Sequence, residues 1–220
     1  MPLEKIIKST GDSPKLVVIW LHGLGADGND FAPVVPEFNI NGLPLKFVFP
    51  HAKKIPVTIN GGMTMRAWYD IKSMDINQRA DLTGVLNSEK LIHQLIDEQV
   101  ELGFTTEQII LAGFSQGGAM TLHTGLRYKH KLAGLIALSC YIPSSEQLPL
   151  NEISINKNTP VFLGHGTFDP VVPFNLGQAA KSSLEASGYN IDWNEYPLQH
   201  GVNMEEINDV RQWIIRHQKT

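Results

Sequence analysis

Cysteine is nearly missing from this chain: its 220 residues hold one, Cys140. An internal disulfide and a cysteine-based zinc cluster are thereby excluded, and a reducing, cytoplasmic setting fits. Long apolar runs are missing too. The longest, Leu16 to Leu21, is six residues, where a membrane-spanning helix needs about 20. Met1-Pro2-Leu3-Glu4 opens no charged-then-apolar leader segment. Excess positive charge is also lacking: 18 Lys and Arg face 22 Asp and Glu, a net charge of −4. A nucleic-acid reader would need a basic field, so no nucleic-acid partner is expected. Repeats, low-complexity tracts and linkers are absent. What remains is 42% hydrophobic and 18% charged. A chain of this size buries roughly 70% of its unfolded surface, enough for one domain over 1–220 without staples.

Short apolar runs alternate with helix-like patterns. Leu16 to Leu21 is continuous and rich in β-branched residues, as a strand covered on both faces should be. Similar runs recur at Leu45 to Phe49, Ile109 to Ala112, Leu135 to Leu138, Val161 to Leu163 and Ile191 to Tyr196. Between them, Val85, Ile92, Leu95, Ile96 and Val100 repeat at helical spacing ahead of Gly103, and Ala119, Leu122 and Leu126 share a face. Leu176, Ala180 and Leu184 do the same before Gly188. Asn203 with Glu206 three residues on predicts the start of a last helix. Such alternation implies an α/β fold, a mostly parallel sheet with helices on both faces. One stretch breaks the rhythm. From about 52 to 76, paired glycines (Gly61, Gly62) lie among Met63, Met65, Trp68, Tyr69 and Met74. An irregular stretch of that length predicts a mobile lid or binding loop, with a meandering loop carrying a short hairpin as the alternative.

The chemistry centres on Ile109 to Gly118, a strand, tight turn and helix containing the chain's single Gly-x-Ser-x-Gly. In such an elbow the serine takes a strained conformation and its neighbours must be tiny, which Gly113, Gly117 and Gly118 satisfy. Ser115 is the expected nucleophile. A phosphate loop would need GxxxxGK[ST], which is absent. A hydroxyl needs a base, and the base an acid that fixes its tautomer, supplied from loops at the carboxyl ends of strands in the order Ser, acid, His. His200, in a loop between the last strand and the last helix, is the expected base. Asp169, directly after the Val161 strand, is the expected acid. His165 shares the loop of Asp169 and is read as a structural histidine. Two N–H donors must meet the oxyanion. Gln116 follows the nucleophile at a helix N-terminus, and Leu24 lies in the glycine-rich turn after the first apolar strand, with His22 bracing that turn.

Five ordered motifs (LHGLGADGNDF, MRAWYDI, GFSQGGAM, GHGTFDPVVP and the His200-Gly201 loop) resemble the small carboxylesterase and acyl-protein thioesterase family of α/β-hydrolases. The resemblance runs from about Lys15 to the last helix. It implies an α/β-hydrolase fold, a Ser115–Asp169–His200 triad, oxyanion donors at Leu24 and Gln116, no cofactor or metal, and cleavage of carboxylic esters or acyl thioesters, lysophospholipids included. Ala26-Asp27-Gly28 looks more like the bacterial carboxylesterase branch. The resemblance also puts Met65, Trp68 and Tyr69 beside the site, where flexible methionines suit an acyl channel; ordinary core packing is the alternative for Trp68. Val172, with Pro173, is an expected opposite wall. A thioesterase as the main role, a peptidase, and a non-catalytic binding protein on the same fold are the alternatives. Transient contact of the 52–76 loop with a membrane surface, and a homodimer through apolar loops, stay open.

Overall fold

The computed structural model describes residues 2–73, 80–143 and 155–218; the end of the expected lid, with Met74, lies outside them. The strands are β1 (Lys5–Ser9), β2 (Leu16–Leu21), β3 (Leu45–Pro50), β4 (Lys54–Val57) and β5 (Met63–Arg66). They continue with β6 (Ile109–Phe114), β7 (Gly134–Leu138), β8 (Val161–Gly166) and β9 (Ile191–Tyr196). The helices are α1 (Leu82–Glu101), α2 (Gln116–Arg127), α3 (Phe174–Ala186) and α4 (Met204–His217), with a short 3-10 helix at Ala32–Phe38.

Seven strands form one sheet in the order β1-β3-β2-β6-β7-β8-β9, parallel except for β1, which runs antiparallel to β3. Alternation along the parallel strands sorts the core into two layers. Val17, Ile19, Leu21, Leu111 and Leu135 pack towards α1, α2 and α3. Val18, Trp20, Ile110, Ile136 and Phe162 pack towards the 3-10 helix and α4. A strand with one neighbour in each layer must be apolar at every position, and all six residues of β2 are buried. The expected mostly parallel sheet with helices on both faces is what the chain forms. Two details differ from the sequence patterns. Val100, placed on the buried stripe of α1, is exposed, because in the last turn the buried face of the helix passes through Gln99 instead. β1 has no counterpart in the sequence reading, being a half-exposed edge strand.

Residues 54–66 are also more regular than their composition implies. β4 and β5 pair antiparallel, Lys54 opposite Arg66 and Val57 opposite Met63. Gly61 and Gly62, both at positive φ, make the turn at the tip. The hairpin is tied down at both ends: at its base Arg66 donates to the Ala52 carbonyl (2.9 Å), and at its tip Thr58 donates to Asp70 through both its amide (2.7 Å) and its hydroxyl (2.6 Å).

Counting outward from β2, the chain first moves to β3 on one side and later to β6 on the other. That reversal opens a crevice at the carboxyl ends of β2 and β6, where open α/β sheets bind ligands.

Candidate active site

Ser115 lies between the end of β6 and the start of α2, as the N-cap of that helix. Its backbone lies at φ 55, ψ −118, a conformation costing on the order of 1–3 kcal/mol for a residue with a side chain. The surroundings hold it there: the Ser115 amide donates to the Leu138 carbonyl (2.8 Å), and its carbonyl accepts from the Ala119 amide (2.9 Å). A Cβ at Gly113 would overlap the Gly117 carbonyl, and one at Gly117 would overlap the Leu21 carbonyl. Strand and helix touch backbone to backbone, so glycine is the residue that fits.

Two loops bring the other groups over this serine. The turn after β8 and the turn after β9 are zipped together: Thr167 donates to the Tyr196 carbonyl (2.8 Å) and Phe168 to the Leu198 carbonyl (2.9 Å). Asp169 is buried in the first turn, where its Oδ1 accepts from the Val171 and Val172 amides at 2.8 and 2.9 Å. Its Oδ2 lies 2.7 Å from His200 Nδ1, and His200 Nε2 lies 2.9 Å from Ser115 Oγ. A carboxylate only accepts, so Nδ1 carries the proton and the Nε2 lone pair faces the hydroxyl. Phe114 packs against the imidazole with ring centroids 4.8 Å apart. His165 stands behind: its Nε2 donates to the Val172 carbonyl (2.9 Å), and burial holds its pKa below the usual histidine value.

On the other side, the turn after β2 carries Gly23 and Leu24. His22 braces it, as the sequence leads one to expect, donating from Nδ1 to the Gly23 carbonyl (2.7 Å) and accepting at Nε2 from the Ala52 amide (3.0 Å). Burial pushes its pKa down to about 4, so it is neutral. The Gln116 amide is the first of α2, an N–H with no partner within the helix. Among the described residues no acceptor engages the Leu24 amide.

Trp68 and Tyr69 are not where the pocket was expected to have them. They are 3% and 0% exposed and belong to the core layer under the site. Their backbones hold the Gln116 side chain: Trp68 N donates to Oε1 (2.9 Å), and Nε2 donates to the Tyr69 carbonyl (2.7 Å). Trp68 Nε1 donates to the His22 carbonyl (2.9 Å). The packing alternative for Trp68 is the one realised. Met65 also lies outside the cavity wall; its sulfur packs on Gly25 and accepts from Asn60 Nδ2 (3.3 Å). Val172 does line the cavity over Ser115, which holds about 210 Å³. Ile71, Phe114, Tyr141, Ala26 and Asp30 line it too and escaped the sequence reading. Tyr141 had a usable signal, since it lies just beyond the carboxyl end of β7, next to β6. Ile71 had none.

The family model described as phospholipase/carboxylesterase matches residues 3–218. The chain belongs to the phospholipase/carboxylesterase family of α/β-hydrolases. Relatives called acyl-protein thioesterase 1 are 39% identical in Neurospora crassa, covering 90% of this chain and 84% of that protein. The one from Yarrowia lipolytica is 37% identical, covering 90% and 89%. Among solved structures, Arabidopsis thaliana SOBER1 superposes with a TM-score of 0.86 at 33% identity, over 93% of this chain and 99% of that one. The Bacillus cereus carboxylesterase, at 18% identity and a TM-score of 0.76 over 98% and 94%, shares the fold. As a family member the chain is a serine hydrolase of acyl esters.

Proposed function

We propose that Ser115 is the nucleophile, His200 the base and then the acid, and Asp169 the group that orients His200. The observation that carries this is the unbroken relay from Asp169 Oδ2 through His200 to Ser115 Oγ, at 2.7 and 2.9 Å. Ser115 Oγ attacks the substrate carbonyl while Nε2 takes its proton, and the imidazolium is stabilised by the buried carboxylate. The oxyanion is met by the Leu24 and Gln116 amides, helped by the positive end of α2. Nε2 then protonates the departing alcohol or thiol, and a water deprotonated at Nε2 releases the acid. Val172 serves as an apolar wall for the acyl group.

Within that activity, thioester cleavage is the reading the relatives' names favour, and a thiol leaves more readily than an alcohol. Residues 1–220 act as one domain, and a cytoplasmic setting rests on composition, a single cysteine that is buried and free. Membrane-surface contact would fall to the hairpin tip, where Met63 is 65% exposed, with Lys53 and Lys54 at the hairpin's base. A homodimer would use the rim at Phe168, which is 68% exposed.

The test is Ser115→Ala. Turnover of p-nitrophenyl butyrate and of a butyryl thioester should vanish into the background, and a fluorophosphonate probe should label the parent protein and spare the variant. Retained turnover with an intact circular dichroism spectrum would refute the assignment.

A further inference from the structure

One wall of the cavity over Ser115 does not match the others. Leu24, Ile71, Phe114, Tyr141, Val171 and Val172 make it apolar. Its polar members are largely engaged: the Gln116 side chain spans Trp68 and Tyr69, and the Tyr141 hydroxyl bonds to that of Tyr69 (2.8 Å). Asp30 lines the same cavity. It brings the one carboxylate among the described lining residues, exposed at the rim.

The fold makes no visible use of this carboxylate. Asp27, three residues earlier, shapes the turn by accepting from the Asn29 amide (2.8 Å) and side chain (3.0 Å). The 3-10 helix that follows Asp30 has no side-chain cap. Among the described residues the Asp30 side chain has neither an ion pair nor a hydrogen bond. Partial desolvation, with the charge of Asp27 nearby, raises its pKa. An unpaired anion on an otherwise apolar wall acts on whatever shares the cavity: it attracts positive charge and repels negative charge.

The geometry points to Asp30 as a specificity residue that favours esters and thioesters whose leaving group is cationic and disfavours those whose leaving group is anionic. The leaving group is the relevant part because it departs through the open rim, and the rim is where Asp30 stands. The inference rests on the esterase reading above and names the substrate class within it: acyl groups carried on positively charged alcohols or thiols, such as a quaternary ammonium thiol or a cysteine flanked by basic residues.

Three matched butyryl thioesters separate the outcomes: those of thiocholine (cationic), N-acetylcysteamine (neutral) and thioglycolate (anionic), each read by thiol release. In the parent protein kcat/KM for the cationic substrate should exceed that for the anionic one by about tenfold, a ratio that shrinks with added salt. Asp30→Asn should bring the ratio close to one and remove its salt dependence, and Asp30→Lys should invert it. A ratio unchanged by Asp30→Asn, an equal loss on all three substrates, or a parent preference for the anion would overturn the inference and leave the esterase reading standing. Failure of the parent protein to cleave the neutral thioester faster than Ser115→Ala would instead refute the esterase reading, and this inference with it.

Discussion

The two banks of the crevice are built on opposite plans. On the β8–β9 bank, the groups proposed for the chemistry are side chains and backbone holds them: Asp169 is fixed by two amides, and its loop is zipped to that of His200 through main-chain bonds. On the β2–β6 bank, the groups proposed for the chemistry are backbone amides and side chains hold them. His22, Gln116 and Trp68 form a buried polar brace between the first turn, the start of α2 and the strap after β5. The comparison implies that a substitution on the first bank strikes the reaction directly, while one on the second acts through geometry and stability together.

Asp169→Asn should give the largest effect. The new amide can still accept from the Val171 and Val172 amides, but its NH₂ faces Nδ1 and forces the proton onto Nε2. We expect kcat to fall by about 10³–10⁴ with little change in melting temperature. A fall below tenfold would mean that His200 is not oriented by this carboxylate.

The pH dependence of stability should then separate the banks. Glu206, one turn into α4, is buried against Gly164, and desolvation, with Asp209 nearby, pushes its carboxyl up to about 8 from an ordinary 4.5. A raised carboxyl pKa gives stability that is complete below 4.5 and declines as pH rises through 8. Glu206→Gln should therefore gain on the parent across that window, by on the order of 4 kcal/mol at its upper end. His22 has the opposite sign. Its value of about 4 against an ordinary 6.5 means that stability is complete above 6.5 and lost towards 4, about 3 kcal/mol in all. His22→Asn should flatten the acid limb alone. Urea unfolding at several pH values reads both, and parallel curves for parent and variants would contradict the burial argument.

Gln116→Ala should give the smallest but most mixed effect. It leaves a buried donor at Trp68 and a buried acceptor at Tyr69, a loss of about 1–3 kcal/mol in stability. The backbone amide at 116 remains, so kcat should drop only about tenfold through misplacement. A loss of activity as deep as that of Asp169→Asn would show that the banks do not differ in plan.

How far the sequence foretold this depends on what each residue's neighbours demand of it. The central strands were legible because a strand covered on both faces must be apolar throughout, as β2 is. Ser115, Asp169 and His200 could be placed because a strand end followed by a tight turn leaves few directions for a side chain. β1 escaped because Lys5-Ile6-Ile7-Lys8-Ser9 meets only one neighbour and needs no continuous apolar run. The β4–β5 hairpin was legible only as an alternative to an irregular loop, because Pro56 weakens the strand signal and the connection at its tip is longer than a two-residue turn. Trp68 and Tyr69 show a different limit. Large aromatic residues beside a site suit a ligand wall and a buried brace equally well, and the pattern does not say which way the rings face. Asp30 is harder still, since a lone aspartate in a turn reads as a solvated charge until the opposite wall is in place.

Ser115 is set in position by carbonyls and by glycines that admit no other side chain, not by the fit of interchangeable hydrophobic residues. The oxygen proposed to attack is thereby insulated from drift in either core layer: trading a leucine for a methionine beneath the sheet has no lever by which to move it. Walls such as Ile71, Tyr141 and Asp30 can vary around a stationary attacking atom, so substrate range is free to diverge while the bond-breaking step stays the same.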